Sequence, residues 1–152
     1  MVNQWAAAIE TFRQEYGLYP AFDFDAEALI ASTDDTDKFV QTLSSRDTEG
    51  NLGSFAGNEK RITFYTVSEG EISEAYLLVD NFGGTPIAVL VDSNYDGIIK
   101  VATGTDDDYA SFPIVISGVT APPGWPTDGL RAGVAIYSPG PGGSAGNITT
   151  TW

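Results

Sequence analysis

The chain has 152 residues, 42% of them hydrophobic, and a formal net charge of -14 from 7 basic and 21 acidic side chains. This length predicts one compact core, and the negative charge repels phosphate backbones, so nucleic acid is not an expected partner. Cysteine and histidine are both absent, which excludes disulfides, thiolate or three-histidine zinc sites, and hydrolases built on Ser-His-Asp or Cys-His groups.

The first predicted element is an amphipathic helix whose apolar residues recur at helical spacing from Trp5 to Tyr16. Gly17 and Pro20 are expected to end it, because glycine permits a left-handed cap and proline cannot continue the helix. Trp5, with Ile9 on the same stripe, is the predicted subunit contact, since little of the domain is available near the chain start to cover it. The helical pattern already runs at residue 4 without a capping signal, so the chain is expected to be trimmed from a longer protein.

Residues 21–60 are predicted to link this helix to a sheet. The acidic stretch 21–37 is expected to be largely irregular, and Thr33 or Asp34 can cap a short second helix that carries Phe39, Val40 and Leu43 inward. Residues 44–58 are then predicted to be a loop, because glycine recurs through them.

From residue 61 onward the sequence pattern becomes that of antiparallel strands, predicted at 61–67, 74–80, 87–92, 98–102 and 133–138. The strongest local signal is an Asp96-Gly97 turn between two apolar runs, which predicts a hairpin. The predicted fold class is therefore α+β, with an N-terminal helix packed on an antiparallel sheet. It is one domain over 1–152: helix at 1–20, linker with a short helix at 21–60, and sheet with a C-terminal loop at 61–152.

One candidate metal site lies in the predicted hairpin. Asp92, Asn94 and Asp96 followed by Gly97 reproduce the opening half of an EF-hand-type loop, in which alternating oxygen ligands converge on calcium. The twelfth position is Thr103 and not the usual glutamate, and no predicted helix brackets the loop. A plain hairpin turn is thus the favoured interpretation, and calcium remains an open alternative.

The densest run of charge is Asp106, Asp107 and Asp108, for which a solvated loop is favoured over a cation site. Paired carboxylates also serve glycosidases, but such a pair needs a cleft with separated carboxyl groups, and no spacing here indicates one. We therefore do not expect an enzyme.

Four motifs extend over nearly the whole chain: Tyr-Gly-Leu-Tyr-Pro at 16–20, Asn-Glu-Lys-Arg-Ile-Thr-Phe at 58–64, Asp-Asn-Phe-Gly-Gly-Thr-Pro at 80–86, and Val-Ala-Ile-Tyr-Ser-Pro-Gly-Pro-Gly-Gly at 134–143. In this order they resemble motifs of the type II secretion-like pseudopilins, a group of prepilin-type proteins. Asn81 and Phe82 replace the usual Pro and Trp of that family. The C-terminal loop holds Gly142 and Asn147 where relatives have acidic calcium ligands.

The resemblance implies a pilin-like fold and a mechanical function as a structural subunit of a pseudopilus or a type IV pilus-like filament. The implied partners are other pseudopilin subunits and the secretion machinery. The implied location is the periplasmic or extracellular face, anchored in the inner membrane by an N-terminal segment that this chain lacks. The alternative function is a calcium-dependent extracellular binding module, which the Asp92 loop and the acidic charge motivate.

Overall fold

A computed structural model describes residues 1–20, 33–47, 49–55, 57–74, 77–80, 87–92, 94–99, 101–102, 109–110, 126, 129–138 and 149–150. Within these residues lie the helices α1 (Val2–Tyr16) and α2 (Thr33–Ser44), a 3-10 turn (Glu69–Glu71), and the strands β1 (Ala88–Val91), β2 (Val101–Ala102), β3 (Tyr109–Ala110), β4 (Val134–Ser138) and β5 (Thr149–Thr150). The strands form two antiparallel sheets, ordered β1-β4-β5 and β2-β3. The chain therefore has an α+β fold.

Helix α1 forms and ends as its sequence predicts. Gly17 adopts a left-handed conformation with φ of 75°, and its N–H donates to the carbonyl oxygen of Arg13 at 2.8 Å. A left-handed glycine satisfies the last carbonyl groups of a helix without steric strain. The apolar stripe of α1 packs on the sheet, in one cluster with residues from β1 and β4 that include Val89 and Ile136.

The structure places Trp5 and Ile9 in the core instead of at a surface open to another subunit. Both side chains are fully buried. The cover that the sequence pattern did not reveal comes from α2, whose Phe39 ring lies 5.2 Å from the Trp5 ring, centroid to centroid. As placed, neither side chain is available to a second subunit.

Helix α2 also forms where predicted, and it carries Phe39 and Leu43 into the core with Val40 half-buried. The strand predicted at 61–67 does not form beside it. The backbone N–H groups of Phe64 and Tyr65 both donate to the carbonyl oxygen of Leu43, at 2.8 and 3.1 Å. This segment satisfies the open end of α2 and so cannot give the same donors to a strand ladder.

The predicted hairpin across Asp96 and Gly97 is not formed. Strand β1 pairs with β4, in the register Ala88↔Tyr137 to Val91↔Val134. Beyond the loop, Ile99 makes an isolated bridge with Leu130. All residues of β1 and β4 are buried, and cross-strand contacts between buried side chains stabilise this antiparallel pairing.

The remaining predicted strands are shorter than expected or are displaced. Strand β4 lies within the predicted 133–138 segment, and β2 occupies only the end of the predicted 98–102 segment and pairs with β3. Near the predicted 74–80 strand, Ile72 and Leu78 form one isolated antiparallel bridge.

Candidate functional site

The loop at residues 92–97, hereafter the 92–97 loop, is held by its own polar side chains. Asp92 Oδ2 accepts from the Gly97 N–H at 3.0 Å, and Asn94 Oδ1 accepts from the Asp96 N–H at 2.8 Å. Asp96 Oδ1 accepts from the Ile98 N–H at 2.8 Å. Side-chain acceptance of nearby backbone N–H groups is the usual way in which Asp and Asn stabilise tight turns.

The backbone of this loop bends sharply at two positions. Tyr95 has φ of 63° and Gly97 has φ of 84°. The first value is uncommon for a residue with a side chain, whereas glycine adopts the second without steric strain. The sharp turn predicted at Gly97 is therefore present, although it does not join two paired strands.

Asp92 differs from the other two polar residues of the loop because it is buried, with 5% of its surface exposed. Its Oδ1 atom has no hydrogen-bond partner. Asn94 and Asp96 are exposed. A buried carboxylate oxygen without a donor is unfavourable unless a cation compensates it.

The described residues hold no cluster of three Asp, Glu, His or Cys side chains suited to a metal. The loop itself contributes two carboxylates, of Asp92 and Asp96, and the neutral amide oxygen of Asn94. Thr103 and the acidic run Asp106 to Asp108 lie outside the described residues. The metal ligands predicted from the sequence are thus in one loop, and among them only Asp92 has a buried oxygen without a hydrogen-bond partner.

Tyr19, just beyond α1, joins that helix to the 92–97 loop. Its backbone N–H donates to the Tyr95 hydroxyl at 2.5 Å, and the two rings stack with centroids 5.7 Å apart. Its own hydroxyl donates to Glu10 Oε1 at 3.1 Å, and the Arg13 guanidinium lies 4.9 Å from its ring centroid. Burial, and then the negative charge of Glu10, raise the pKa of Tyr19 to about 12.

Asn58 joins both helices to the segment that follows it. Its side chain is fully buried, and Oδ1 accepts from the Tyr16 hydroxyl at 2.7 Å and from the Ile62 N–H at 3.0 Å. Its Nδ2 donates to the carbonyl oxygens of Thr42 and Ile62, each at 2.7 Å. Both polar atoms of the amide are satisfied, as a buried side chain of this kind requires.

Two buried carboxylates were not singled out from the sequence. Glu71 accepts from the Tyr65 hydroxyl at 2.6 Å and from the N–H and hydroxyl of Ser68 at 2.7 and 3.0 Å. Asp80 accepts from the Ser138 hydroxyl at 2.5 Å, which links the end of β4 to the start of the 80–86 motif. The position of Asp80 directly after two apolar residues was a usable signal, whereas nothing in the sequence marks Glu71.

The contact with Glu71 also changes the pKa of Tyr65. Burial, and then its hydrogen bond to Glu71, raise the pKa of Tyr65 to about 12. The Trp5 indole N–H approaches the Tyr65 hydroxyl closely enough to oppose this rise, yet it makes no hydrogen bond of standard geometry. The indole N–H is therefore unpaired, and Glu71 is the hydrogen-bond partner that fixes Tyr65.

Most exposed side chains on the outward side of α1 are uncharged. Its exposed stripe, hereafter the neutral face, consists of Asn3, Gln4, Ala7, Thr11 and Gln14. The Thr11 hydroxyl donates to the carbonyl oxygen of Ala7 at 2.7 Å, so it is satisfied within the helix.

The charged residues of α1 are paired at the flanks of this face. Arg13 contacts Glu10 at 3.5 Å, and Lys60 contacts Glu15 at 2.5 Å. These pairs are solvent-exposed and add little stability, but they cancel charge locally. A chain with a net charge of -14 therefore presents one surface without excess charge.

Neither described helix combines the length and the apolar content needed to cross a membrane. No protein family, curated protein or solved structure matches this chain.

Proposed function

We propose that this chain is a pilin-like structural subunit that packs through α1 into a pseudopilus-type filament outside the cytoplasm. The observation that carries the proposal is the neutral face of α1. Identical subunits with a charge of -14 repel one another, and close helix packing is least opposed where the facing surfaces lack net charge.

The attachment of α1 to the sheet supports the same proposal. A subunit that transmits force through one helix needs that helix fixed firmly to the rest of the domain. Here the apolar stripe of α1 lies in the main core cluster, and the end of the helix is held by Tyr16 to Asn58 and by Tyr19 to Tyr95.

The pseudopilin-like motifs contain most of the residues that fix α1 to the rest of the domain. Tyr16 and Tyr19 belong to the first motif and Asn58 opens the second, while Asp80 opens the third and Ser138 lies in the fourth. Tyr16 of the first motif hydrogen-bonds Asn58 of the second, and Ser138 of the fourth hydrogen-bonds Asp80 of the third. The motifs therefore specify contacts between distant parts of the chain. The proposal assigns no catalytic step to the chain.

A charge placed on the neutral face tests the proposal. Ala7→Glu should reduce filament number severalfold in cells that make the protein, because each contact would then bring like charges together. Thr66→Glu adds the same charge at an exposed position outside α1 and serves as the control. Filaments are counted by electron microscopy, and melting temperatures verify that both variants fold. Normal assembly of Ala7→Glu would overturn the proposal.

Cross-linking gives a direct measure of the same contact. The chain has no cysteine, so a single introduced thiol reports only its own neighbourhood. Gln14→Cys should be joined into covalent dimers when a flexible cross-linker with two thiol-reactive groups is added to assembled protein, whereas Thr66→Cys should not. The linker is needed because neighbouring copies in a filament do not generally meet at the same residue.

A calcium-dependent binding module is the second candidate, and the unpaired Asp92 oxygen favours it. The two functions differ in the part that α1 plays. In a binding module, Ala7→Glu should leave target binding unchanged and no cross-link at Gln14 should form.

A further inference from the structure

The 92–97 loop is not the hairpin turn that its sequence predicts. Its spacing of Asp92, Asn94, Asp96 and Gly97 would need no ligand if it were only a hairpin turn. Yet β1 pairs with β4, and Ile99 bridges Leu130, so the loop connects two segments that do not pair with each other.

The second observation is the state of the Asp92 carboxylate. One oxygen is used by the Gly97 N–H, which fixes the orientation of the group, and the other is buried without a donor. Bulk water compensates Asp92 little, because only 5% of its surface is exposed. An acceptor held in this way suits a bound cation, which would supply the missing positive charge.

We propose that the 92–97 loop binds calcium, with Asp92 Oδ1 as the buried ligand and Asn94 and Asp96 as ligands on the exposed side. Calcium accepts six to eight oxygen ligands, including neutral amide oxygens and waters, in flexible geometry. A carbonyl oxygen has two lone pairs, so Asn94 Oδ1 can bind a cation while it accepts from the Asp96 N–H. With two carboxylates in the loop, we expect a Kd of about 10⁻⁴ to 10⁻³ M.

Calcium binding to this loop would also stabilise the attachment of α1. Tyr95 lies between two of the proposed ligands, and its hydroxyl and ring hold Tyr19 at the exit of that helix. A cation that fixes the loop therefore stabilises the joint between α1 and the sheet, since a ligand that binds only the ordered state favours it. This inference does not depend on filament assembly.

Melting temperature in chelator and in calcium provides the test. At about ten times the Kd, calcium should raise the melting temperature of the 152-residue chain by about 4 °C. Asp92→Asn should abolish the rise, because it removes the negative charge that binds the cation. The amide oxygen of the new side chain can still accept from the Gly97 N–H, so the loop keeps that hydrogen bond. In chelator, the same variant should melt no lower than the unchanged chain, since the unpaired buried charge is gone.

Asp47→Asn is the matched control. Asp47 also accepts backbone N–H groups within a short turn, those of Glu49 and Asn51, but its carboxylate is exposed and its hydrogen bonds hold its pKa below the usual range. Its replacement should leave the calcium response intact. If the response disappears equally in both variants, general charge binding explains it and the proposed site is wrong.

Terbium, which takes oxygen ligands as calcium does, gives a second readout. Tyr95 lies within the loop and should sensitise terbium emission, which should saturate and be displaced by excess calcium. Asp96→Asn should lower the emission severalfold, and this variant changes only an exposed side chain, so it serves if Asp92→Asn fails to fold. Absence of both a calcium-induced melting shift and saturable terbium emission overturns the proposal, as does unchanged emission from Asp92→Asn and Asp96→Asn.

Discussion

Single buried polar side chains fix the relative positions of the segments of this fold. Asn58, Tyr19 and Glu71 each satisfy donors or acceptors that would otherwise be buried without partners. Such groups contribute modestly when paired and are costly when a partner is removed, at about 1 to 3 kcal/mol for each unsatisfied group. Asp92 differs from these three side chains, because one of its buried oxygens has no hydrogen-bond partner.

The raised pKa values of Tyr19 and Tyr65 predict a loss of stability at high pH. An unfolded tyrosine, with a pKa of 10.0, releases its proton at lower pH than either folded one, with a pKa of about 12. Unfolding therefore releases protons between these values, and the free energy of unfolding falls as pH rises through this window. By pH 11 we expect a loss of about 1 kcal/mol for each tyrosine.

Urea unfolding at pH 9 and pH 11 measures this effect. Tyr19→Phe should be less stable than the unchanged chain at pH 9, because its bond to Glu10 is gone, but it should lose less stability between the two pH values. An identical loss in both proteins would show that Tyr19 does not carry the linkage.

At the scale of elements, each helix is completed by residues far away in sequence. The end of α1 contacts Asn58 and the 92–97 loop, and the last carbonyl groups of α2 accept from the 63–65 segment. Short helices gain most of their stability from such tertiary contacts rather than from intrinsic propensity. The segment at 61–67 is consequently used as a cap for α2 and not as a strand.

Removal of the Asn58 side chain should loosen both helices at once. Asn58→Ala leaves the Tyr16 hydroxyl and the carbonyl oxygens of Thr42 and Ile62 without this partner, so we expect a loss of about 3 kcal/mol in the free energy of unfolding. Asn51→Ala, in an exposed loop, should cost about 0.5 kcal/mol or less. Urea denaturation compares the two, and equal effects would contradict the role of Asn58 as a joint.

At the scale of the whole molecule, the core forms between the two ends of the described chain. Strand β4 lies at the centre of its sheet, between β1 and β5, and packs beneath α1. Residues near the chain start therefore depend on contacts with residues more than a hundred positions away. The packing of α1 on β4, together with the cover from α2, buries Trp5.

The burial of Trp5 predicts that its side chain stabilises the folded monomer. Trp5→Ala should lower the free energy of unfolding of the monomer by about 3 to 5 kcal/mol, because it leaves a large cavity against Phe39. Leu52→Ala removes an exposed apolar side chain and should change it by about 0.5 kcal/mol or less. If Trp5→Ala leaves the monomer as stable as Leu52→Ala does, Trp5 is not a core residue and its role as a subunit contact returns.

The sequence by itself determined the local features that short-range chemistry controls. Helical spacing and Gly17 predicted α1 and its end, a second helix carried Phe39 and Leu43 inward, and the turn at Gly97 has the positive φ that its sequence predicts. The candidate metal ligands were also visible, because their spacing is a property of one continuous segment.

Only the tertiary structure decided which segments meet. Val89 could pair with the nearby 98–102 run or with a distant strand, and in the fold it pairs with Ile136 of β4. Tertiary contacts likewise decide the covering of Trp5 by α2, the use of 63–65 to close α2, and the burial of one Asp92 oxygen. Periodicity reports which face of an element is apolar, but the partner of that face depends on the free energy of the whole chain.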